Sequence, residues 1–432
     1  MKTVLIVAFH FPPYGGGTGI LRILKFCRFL PEAGWRTVVL TADSRAYERT
    51  DPALLSQIPA AVPVIRAFAL DTQTHLSVRG RYARWMALPD RWAAWTFAAV
   101  MRGVQQIRRQ KVDVILSTYP IATAVLIGLL LHILTRKPWV VDFRDSMTED
   151  EYPVDPLTRR VYRWIEKKAV KHATRLIFTS RSTLKMYRER YPSMTPEHLL
   201  LISNGYDEED FHWITPRVAA RIATGRPIRL LHLGVIYPSE RNPRPFFRAL
   251  SRLKKEGKLC AASVRVELRA SGSESFYGQL LKDLDIEDLV FLLPPLPYPE
   301  AIREAAASDG LLLLQAADCD HQIPAKAYEY LRLQRPILAL TSHNGDTAAL
   351  LEEIGGASIV DLADEQAIFD ALPVFLASLR SGAHPIAELG RVQKYARTNQ
   401  ALALAESLSE IIPPAHSAFR NEPEPMAGSK LQ

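Results

Sequence analysis

Two polar side chains, Lys326 and Glu329, sit three residues apart inside the stretch 322–340, QIPAKAYEYLRLQRPILAL. The stretch reads as loop, helix, turn and buried strand. Ile323-Pro324 predicts the helix start, because Pro suits the first helical position, where an N–H has no intrahelical partner. Tyr328, Leu331 and Leu333 give the helix an apolar side, Gln334-Arg335-Pro336 stops it, and 337–340 is a strand-like run. Residues three apart share a helix face. A helix N-terminus carries free N–H groups and partial positive charge, so it suits a phosphate, and Lys326 adds a full charge there. Glu329, one turn deeper, can accept hydrogen bonds from two ribose hydroxyls. On spacing alone an i,i+3 salt bridge on a solvated helix face is the favoured reading.

Three further stretches carry polar chemistry. Residues 10–19, HFPPYGGGTG, follow an apolar run at 3–9. A strand, a glycine loop and a helix (20–30) open a nucleotide-binding half. The spacing is not GxGxxG, so a dinucleotide is not indicated; Gly15, Gly16 and Gly17 suit either a flexible turn or a close approach of backbone N–H groups to a bound ligand. Residues 138–143 form a strand ending in DFRD, which places Asp142, Arg144 and Asp145 at its C-terminal end, where open α/β sheets hold ligands. The loop 234–245, GVIYPSERNPRP, offers Arg241 and Arg244 just before a helix; on local sequence a guanidinium there serves as well in solvent as on a bound anion. No catalytic base stands out: 117–120 is STYP, and His132 lies far down the next helix.

The elements needed to position these groups recur in order. Strands are expected at 3–9, 35–41, 64–68, 112–117, 138–143, 176–179 and 200–204, then again at 228–233, 264–270, 290–293, 310–314, 337–340 and 358–360. Helices are expected between many of them, including 120–134, 155–175, a Ser/Thr-capped 180–191, 246–256, 298–307 and a long 387–411. Strand alternating with helix, twice over, predicts an α/β protein of two Rossmann-like halves.

Length and composition agree. A chain of 432 residues, 48% hydrophobic and 23% charged, supports two ordinary globular domains. Cys27, Cys260 and Cys319 are too far apart for a metal motif or a disulfide framework, which points to a reducing compartment. The N-terminus MKTVLIVAF reads as a first strand rather than a signal peptide. Residues 1–200 carry 30 Lys and Arg against 16 Asp and Glu, whereas the remainder carry 24 against 30. The basic half suits an anionic partner: phospholipid, lipid-linked phosphate or nucleic acid. Within it, 79–111 mixes basic residues with Trp85, Trp92 and Trp95, and 155–175 has a dense basic face; such helices fit a membrane interface. The apolar run 120–134 is too short to span a bilayer.

The wording PxKxxEYL…RPILA, with DFRD at 142–145 and NGYD at 204–207, resembles glycosyltransferase family 4 and the related group 1 transferases. The resemblance implies the GT-B fold, two Rossmann-like domains facing each other across a cleft, with a final helix crossing back to the first domain. It implies domains at 1–205 (acceptor side) and 228–390 (donor side), a linker at 206–227, a crossing helix at 391–412 and a disordered tail at 413–432. The donor, a nucleotide-diphosphate sugar, is then expected on Gly16, Gly17, Gly234, Arg241, Lys326, Tyr328 and Glu329. Arg241 and Lys326 stabilise the departing diphosphate, and Arg144 and Asp145 face the acceptor. The family's usual reaction retains anomeric configuration and needs no metal or other cofactor; the leaving phosphate itself takes the acceptor proton. His321 stands where the family often has a glutamate. Expected partners are a glycan or lipid-linked acceptor and an anionic membrane surface, with no nucleic acid, in cell-envelope or exopolysaccharide synthesis at the inner face of the membrane. A nucleotide-sugar epimerase of the same fold, or a non-catalytic relative binding a membrane or glycan, are the alternatives.

Overall fold

The computed structural model describes residues 1–16, 19–150, 152–214, 221–223, 225–237 and 241–412. Gly17, part of the expected linker (215–220 and 224) and the tail 413–432 lie outside the described residues. The first half runs β1 (Lys2–Val7), α1 (Gly19–Phe29), β2 (Trp35–Ala42), β3 (Val64–Ala67), α2 (Thr72–His75), α3 (Trp95–Arg109), β4 (Val114–Thr118), α4 (Ala122–Thr135), β5 (Trp139–Phe143), α5 (Pro156–His172), β6 (Arg175–Phe178), α6 (Arg181–Arg190) and β7 (Leu199–Leu201). The second runs β8 (Ile228–Leu233), α7 (Arg244–Lys255), β9 (Val264–Arg269), α8 (Glu274–Asp283), β10 (Val290–Leu293), α9 (Tyr298–Ala307), β11 (Gly310–Leu314), α10 (Ala325–Leu333), β12 (Ile337–Leu340), α11 (Asp346–Ile354), β13 (Ala357–Val360), α12 (Glu365–Ser381), α13 (Leu389–Val392) and α14 (Arg397–Glu410).

Each half builds one parallel sheet. The seven-stranded first sheet has the order β3-β2-β1-β4-β5-β6-β7, and the six-stranded second sheet β10-β9-β8-β11-β12-β13. Parallel strands covered on both faces must be apolar throughout, and β1 (KTVLIV), β4 (VILST) and β11 (GLLLL) are buried almost from end to end. The strand order reverses between β1 and β4 and between β8 and β11. Those are the points at which such sheets open a crevice at the strands' C-terminal ends. The loops after β1, β5, β8 and β11 therefore hold most of the polar groups singled out from the sequence.

Helices sandwich each sheet. Leu5, Val7 and Val141 face one core with α3, α4 and α5. Val4, Ile6 and Val140 face the other, where Ile20, Ile23 and Leu24 of α1 meet Ala401, Leu404 and Leu408 of α14. The final helix thus returns to the first domain, as the GT-B arrangement requires.

Several expectations need correction. The stretch 79–111 is not one helix: only Trp95–Arg109 is α-helical, and Trp85 sits on a single 3-10 turn, Arg84–Ala87. The helix expected over 387–411 breaks at 393–396, where the chain turns back across the molecule. Pro324 precedes α10 as its cap, in extended backbone (φ −63°, ψ 136°), rather than opening the first turn. The helices α8, α11 and α12 are additional; α12 has a clear stripe (Ile368, Leu372, Phe375, Leu379) interrupted by Pro373.

Candidate active site

The helix α10 aims its N-terminus into the space between the sheets. Pro324 donates no side-chain cap, and the backbone turns left-handed at Gln334 (φ +52°) to end the helix. Ala327, Tyr328, Tyr330, Leu331 and Leu333 are buried. Lys326 and Glu329, the polar pair on this short helix, both keep partial access to solvent.

Lys326 reaches back to β8. Its Nζ donates to the Leu233 carbonyl and lies 3.3 Å from His232 Nε2. The His232 Nδ1 is 2.8 Å from the Leu312 carbonyl, so that nitrogen carries the proton and Nε2 accepts from the lysine. Burial, with the Lys326 charge next to it, holds His232 neutral by lowering its pKa well below the usual range. Burial, aided by the Arg241 charge, likewise lowers Lys326 to about 7. Gly234 has φ +99°, and a Cβ there would lie 3.2 Å from Lys326 Nζ. A glycine at this point thus meets both a backbone requirement and a spatial one.

Arg241 belongs to the same β8–α7 loop. Its Nη1 donates to the Val235 carbonyl at 2.6 Å, and its guanidinium lies over the Tyr237 ring. It lines a crevice together with Pro324 and Gln322 of the second domain and Arg144, Asp145 and Asn204 of the first. Glu329 accepts a hydrogen bond from the Tyr298 hydroxyl at 3.0 Å. Burial raises its pKa to about 7, against the pull of Tyr298, Arg397 and Lys326.

The opposite wall comes from the first domain. The Arg144 Nε donates to the Tyr119 carbonyl at 2.6 Å, and its guanidinium lies against Gly19 where any Cβ would collide with it. Asp145 is raised by burial despite the nearby Arg144 and His321 charges. Asp142 does not join this rim. It is wholly buried and takes Arg22 in a two-pronged bond, Nε at 3.0 Å and Nη2 at 2.9 Å. Arg22 also donates to the carbonyls of Ile202 and Ser203, so the first Asp of DFRD fastens α1 and the domain exit to the sheet.

The glycine loop behaves differently from its expected role. The Gly15 amide is occupied by the Arg49 carbonyl at 2.9 Å, and so is not free for a diphosphate. Gly16 lies against the Tyr14 ring, with 2.8 Å between its would-be Cβ and the hydroxyl. Tyr328 is fully buried with its ring 5.0 Å from that of Tyr395, on a face of α10 other than that of Lys326. His321 bonds Glu149 of the first domain at 2.9 Å, which raises its pKa, and its carbonyl accepts from Ser180 and Thr183. It is therefore part of a contact closing the two domains on one side, to which Ser182 and Asp346 add a second bond pair.

Sequence reasoning missed four groups beside this cleft. His10, at the end of β1, stacks on Tyr14 and lies near Arg144; burial and that charge lower it to about 3. Tyr298 holds Glu329. Arg397, at the start of α14, is buried near Glu329 and Arg22, and burial lowers it to about 10. Asp210 lies near both Tyr298 and Glu329. His10 opens the glycine phrase at 10–19 itself, whereas no local pattern marks Tyr298, Arg397 or Asp210, which arrive from separate parts of the chain. Among the described residues, no group of three or more His, Cys, Asp or Glu side chains is placed to hold a metal ion.

Residues 17–205 match the family model described as Glycosyl transferase 4-like domain. No curated protein matches the chain in sequence. Among solved structures it is similar to sucrose-phosphate synthase from Thermosynechococcus elongatus, at 14% identity and a TM-score of 0.66 over 95% of this chain and 99% of that one. It is similar also to Anabaena Alr3699/HepE in complex with UDP, at 16% identity and a TM-score of 0.64 over 95% and 100%. A glycosyltransferase from Rickettsia africae aligns at 12% identity with a TM-score of 0.66, over 95% and 99%. At these identities the shared property is the fold: two Rossmann-like domains with a returning C-terminal helix.

Proposed function

We propose that this chain, which has the GT-B fold and whose residues 17–205 match a glycosyl transferase 4-like domain, moves a sugar from a nucleotide-diphosphate sugar to an acceptor hydroxyl. What supports this reading is that Arg241 and Pro324 line the crevice between the domains, while Lys326 of α10 reaches back to the end of β8, just before the loop that carries Arg241, and Glu329 follows one turn along the helix. The Anabaena relative was solved with UDP and with UDP-glucose, which makes uridine the first nucleotide to test.

In this mechanism the diphosphate lies on the uncapped amides of α10. Lys326 leaves the Leu233 carbonyl for a phosphate oxygen, and Arg241 takes two more. Glu329 exchanges the Tyr298 hydroxyl for the ribose hydroxyls. The acceptor oxygen bonds to the anomeric carbon as the bond from that carbon to the phosphate oxygen breaks. The acceptor proton passes to the departing diphosphate on the same face, so configuration is retained. The cations act where negative charge develops, which is the largest lever such a site has. His10, held neutral and weakly basic, is a poor proton acceptor, in keeping with the leaving phosphate taking that role. Arg144 and Asp145 bound the acceptor side.

The membrane reading rests on the outer face of the first domain. Phe97 is 79% exposed, Trp85 73%, Met101 62% and Trp164 49%. Phe97 and Met101 lie on α3 and Trp164 on α5, where Arg102, Arg108, Arg109, Arg160, Arg163 and Lys167 are also exposed, while Trp85 lies on the preceding 3-10 turn. Exposed aromatics among cations fit an anionic bilayer surface, to which a lipid-linked acceptor for envelope glycan would be confined. Among the described residues no helix is long and apolar enough to cross a membrane.

The reading is tested by thermal shift with a panel of nucleotide sugars. A bound donor raises the melting temperature by mass action, and the expected outcome is a rise with one nucleotide class that is lost in Glu329→Ala. No shift with any nucleotide sugar would overturn it in favour of a non-catalytic relative.

A further inference from the structure

β8 parts early from its neighbour β11. The two pair at Leu230–Gly310 and Leu231–Leu311, whereas β8 stays in register with β9 as far as Leu233–Arg269. Past Leu231 the link across to β11 is made by a side chain. The His232 ring, completely buried, donates from Nδ1 to the Leu312 carbonyl at 2.8 Å. The end of β8 is tied to α10 instead: the Leu233 N–H donates to the Tyr330 hydroxyl at 2.9 Å, and the Leu233 carbonyl accepts from Lys326. His232 thus stands where the sheet opens, between both strands and the lysine.

The two ring nitrogens have separate duties. With Nδ1–H committed to Leu312, Nε2 is a lone pair 3.3 Å from Lys326 Nζ. Burial first, and then the neighbouring cations Lys326 and Arg241, keep the ring neutral against the pull of the Leu312 and Gly234 backbone. Nε2 therefore stays an acceptor. A buried acceptor that loses its donor costs more than the bond itself returns, and among the described residues no second side chain is bonded to Nε2. An ammonium has three hydrogens. If one remains on His232, the others are free for a ligand once the Leu233 carbonyl is released. A lysine anchored in this way has less rotamer freedom to lose when a ligand fixes it.

We propose that His232 is a positioning residue of the donor site: it keeps its bond to Lys326 while the ammonium exchanges the Leu233 carbonyl for a phosphate oxygen, so that the lysine meets the diphosphate already oriented and charged. This rests on the donor reading of α10 and adds how its lysine is prepared. The charge needs support. Burial, and then the Arg241 charge, bring Lys326 down to about 7, with Glu329 the carboxylate acting the other way. A hydrogen bond accepted from the ammonium favours that form, so loss of Nε2 must lower the pH at which a diphosphate is released.

Two isosteres divide the ring. Asparagine can still donate to Leu312 from the Nδ1 position but has nothing at Nε2; glutamine carries its amide oxygen to that position. UDP and GDP, each with its parent nucleoside, are titrated by calorimetry across pH. His232→Asn should weaken the nucleoside diphosphate about tenfold, spare the nucleoside, and move the alkaline loss of binding to lower pH. His232→Gln should restore most of the affinity and the wild-type pH limb. In a Lys326→Met background His232→Asn should have no further effect, because it acts through the lysine. Histidine-selective 15N labelling tests the same bond in the wild type, should His232→Asn fail to fold. The Nε2 signal, assigned by its absence in His232→Gln, should remain that of a hydrogen-bonded nitrogen when the nucleotide saturates the site. A shift to the signal of a free lone pair would overturn the proposal. So would equal weakening of nucleotide and nucleoside in His232→Asn, or wild-type affinity in that variant. If the wild type binds neither UDP nor GDP, the donor reading itself falls, and this proposal with it.

Discussion

Lys326 and Glu329 reach the same pKa, about 7, from opposite sides. In both the cause is burial, which favours the neutral form of each. A phosphate bound to Lys326 favours its charged form, so donor affinity should fall as pH rises above 7. Ribose hydroxyls donate to the Glu329 carboxylate, so affinity should fall as pH drops below 7. The expected profile for a UDP-sugar is a maximum near neutrality. Glu329→Gln should abolish the acid limb and Lys326→Met the alkaline one, both readable by calorimetry across pH. The two side chains also divide the ligand. Loss of a charge-assisted bond weakens binding by about 1.5–3 kcal/mol, roughly ten- to a hundredfold. Lys326→Ala should therefore weaken UDP and spare uridine, whereas Glu329→Ala should weaken both. The spacing of this pair was readable because helical periodicity puts residues three apart on one face. Tyr298, Arg397 and Asp210 were not readable, since nothing in their own neighbourhoods depends on the cleft.

At the scale of elements, two short phrases serve the frame more than the chemistry. In NGYD, a Cβ on Gly205 would lie 1.9 Å from the Tyr395 carbonyl oxygen. The neighbouring bonds, Tyr206 N–H to the Tyr395 carbonyl (3.2 Å) and Arg397 N–H to the Tyr206 carbonyl (2.9 Å), lash the domain exit to the start of α14. Gly205→Ala should therefore destabilise the fold by roughly 1–3 kcal/mol, the usual cost of overpacking, measured by urea denaturation. In DFRD, Arg22→Ala would leave Asp142 buried without its cation. The expected loss is about 3–5 kcal/mol, with a smaller loss for Asp142→Asn. Strand runs such as 310–314 were legible because a parallel sheet buries both faces, so simple apolarity marks them. Residues 79–94 were misread as helix because mixed basic and aromatic residues carry no periodicity of their own. Composition suggested a surface, and the described backbone is mostly turn.

At the scale of the molecule, sequence reasoning located both sheets and their crevice because β-α alternation leaves few other arrangements. It could not foresee how the halves meet. The Glu149–His321 and Ser182–Asp346 contacts join residues more than 160 positions apart, and no local rule selects such partners. The basic first domain makes a prediction at this scale. The chain should sediment with vesicles containing anionic lipid at low salt and be released at high salt, because screening shortens the reach of surface charge. Phe97→Ser with Trp164→Ser should reduce the bound fraction; pelleting indifferent to salt and to these changes would remove the membrane reading.

The central claim is that the cleft tip of α10 grips a nucleoside diphosphate. Titration of UDP and GDP into the wild type, Lys326→Ala and Glu329→Ala decides it most directly. The account predicts saturable binding of one nucleotide to the wild type and a loss of at least tenfold in each variant. Equal affinity across the three proteins would contradict it.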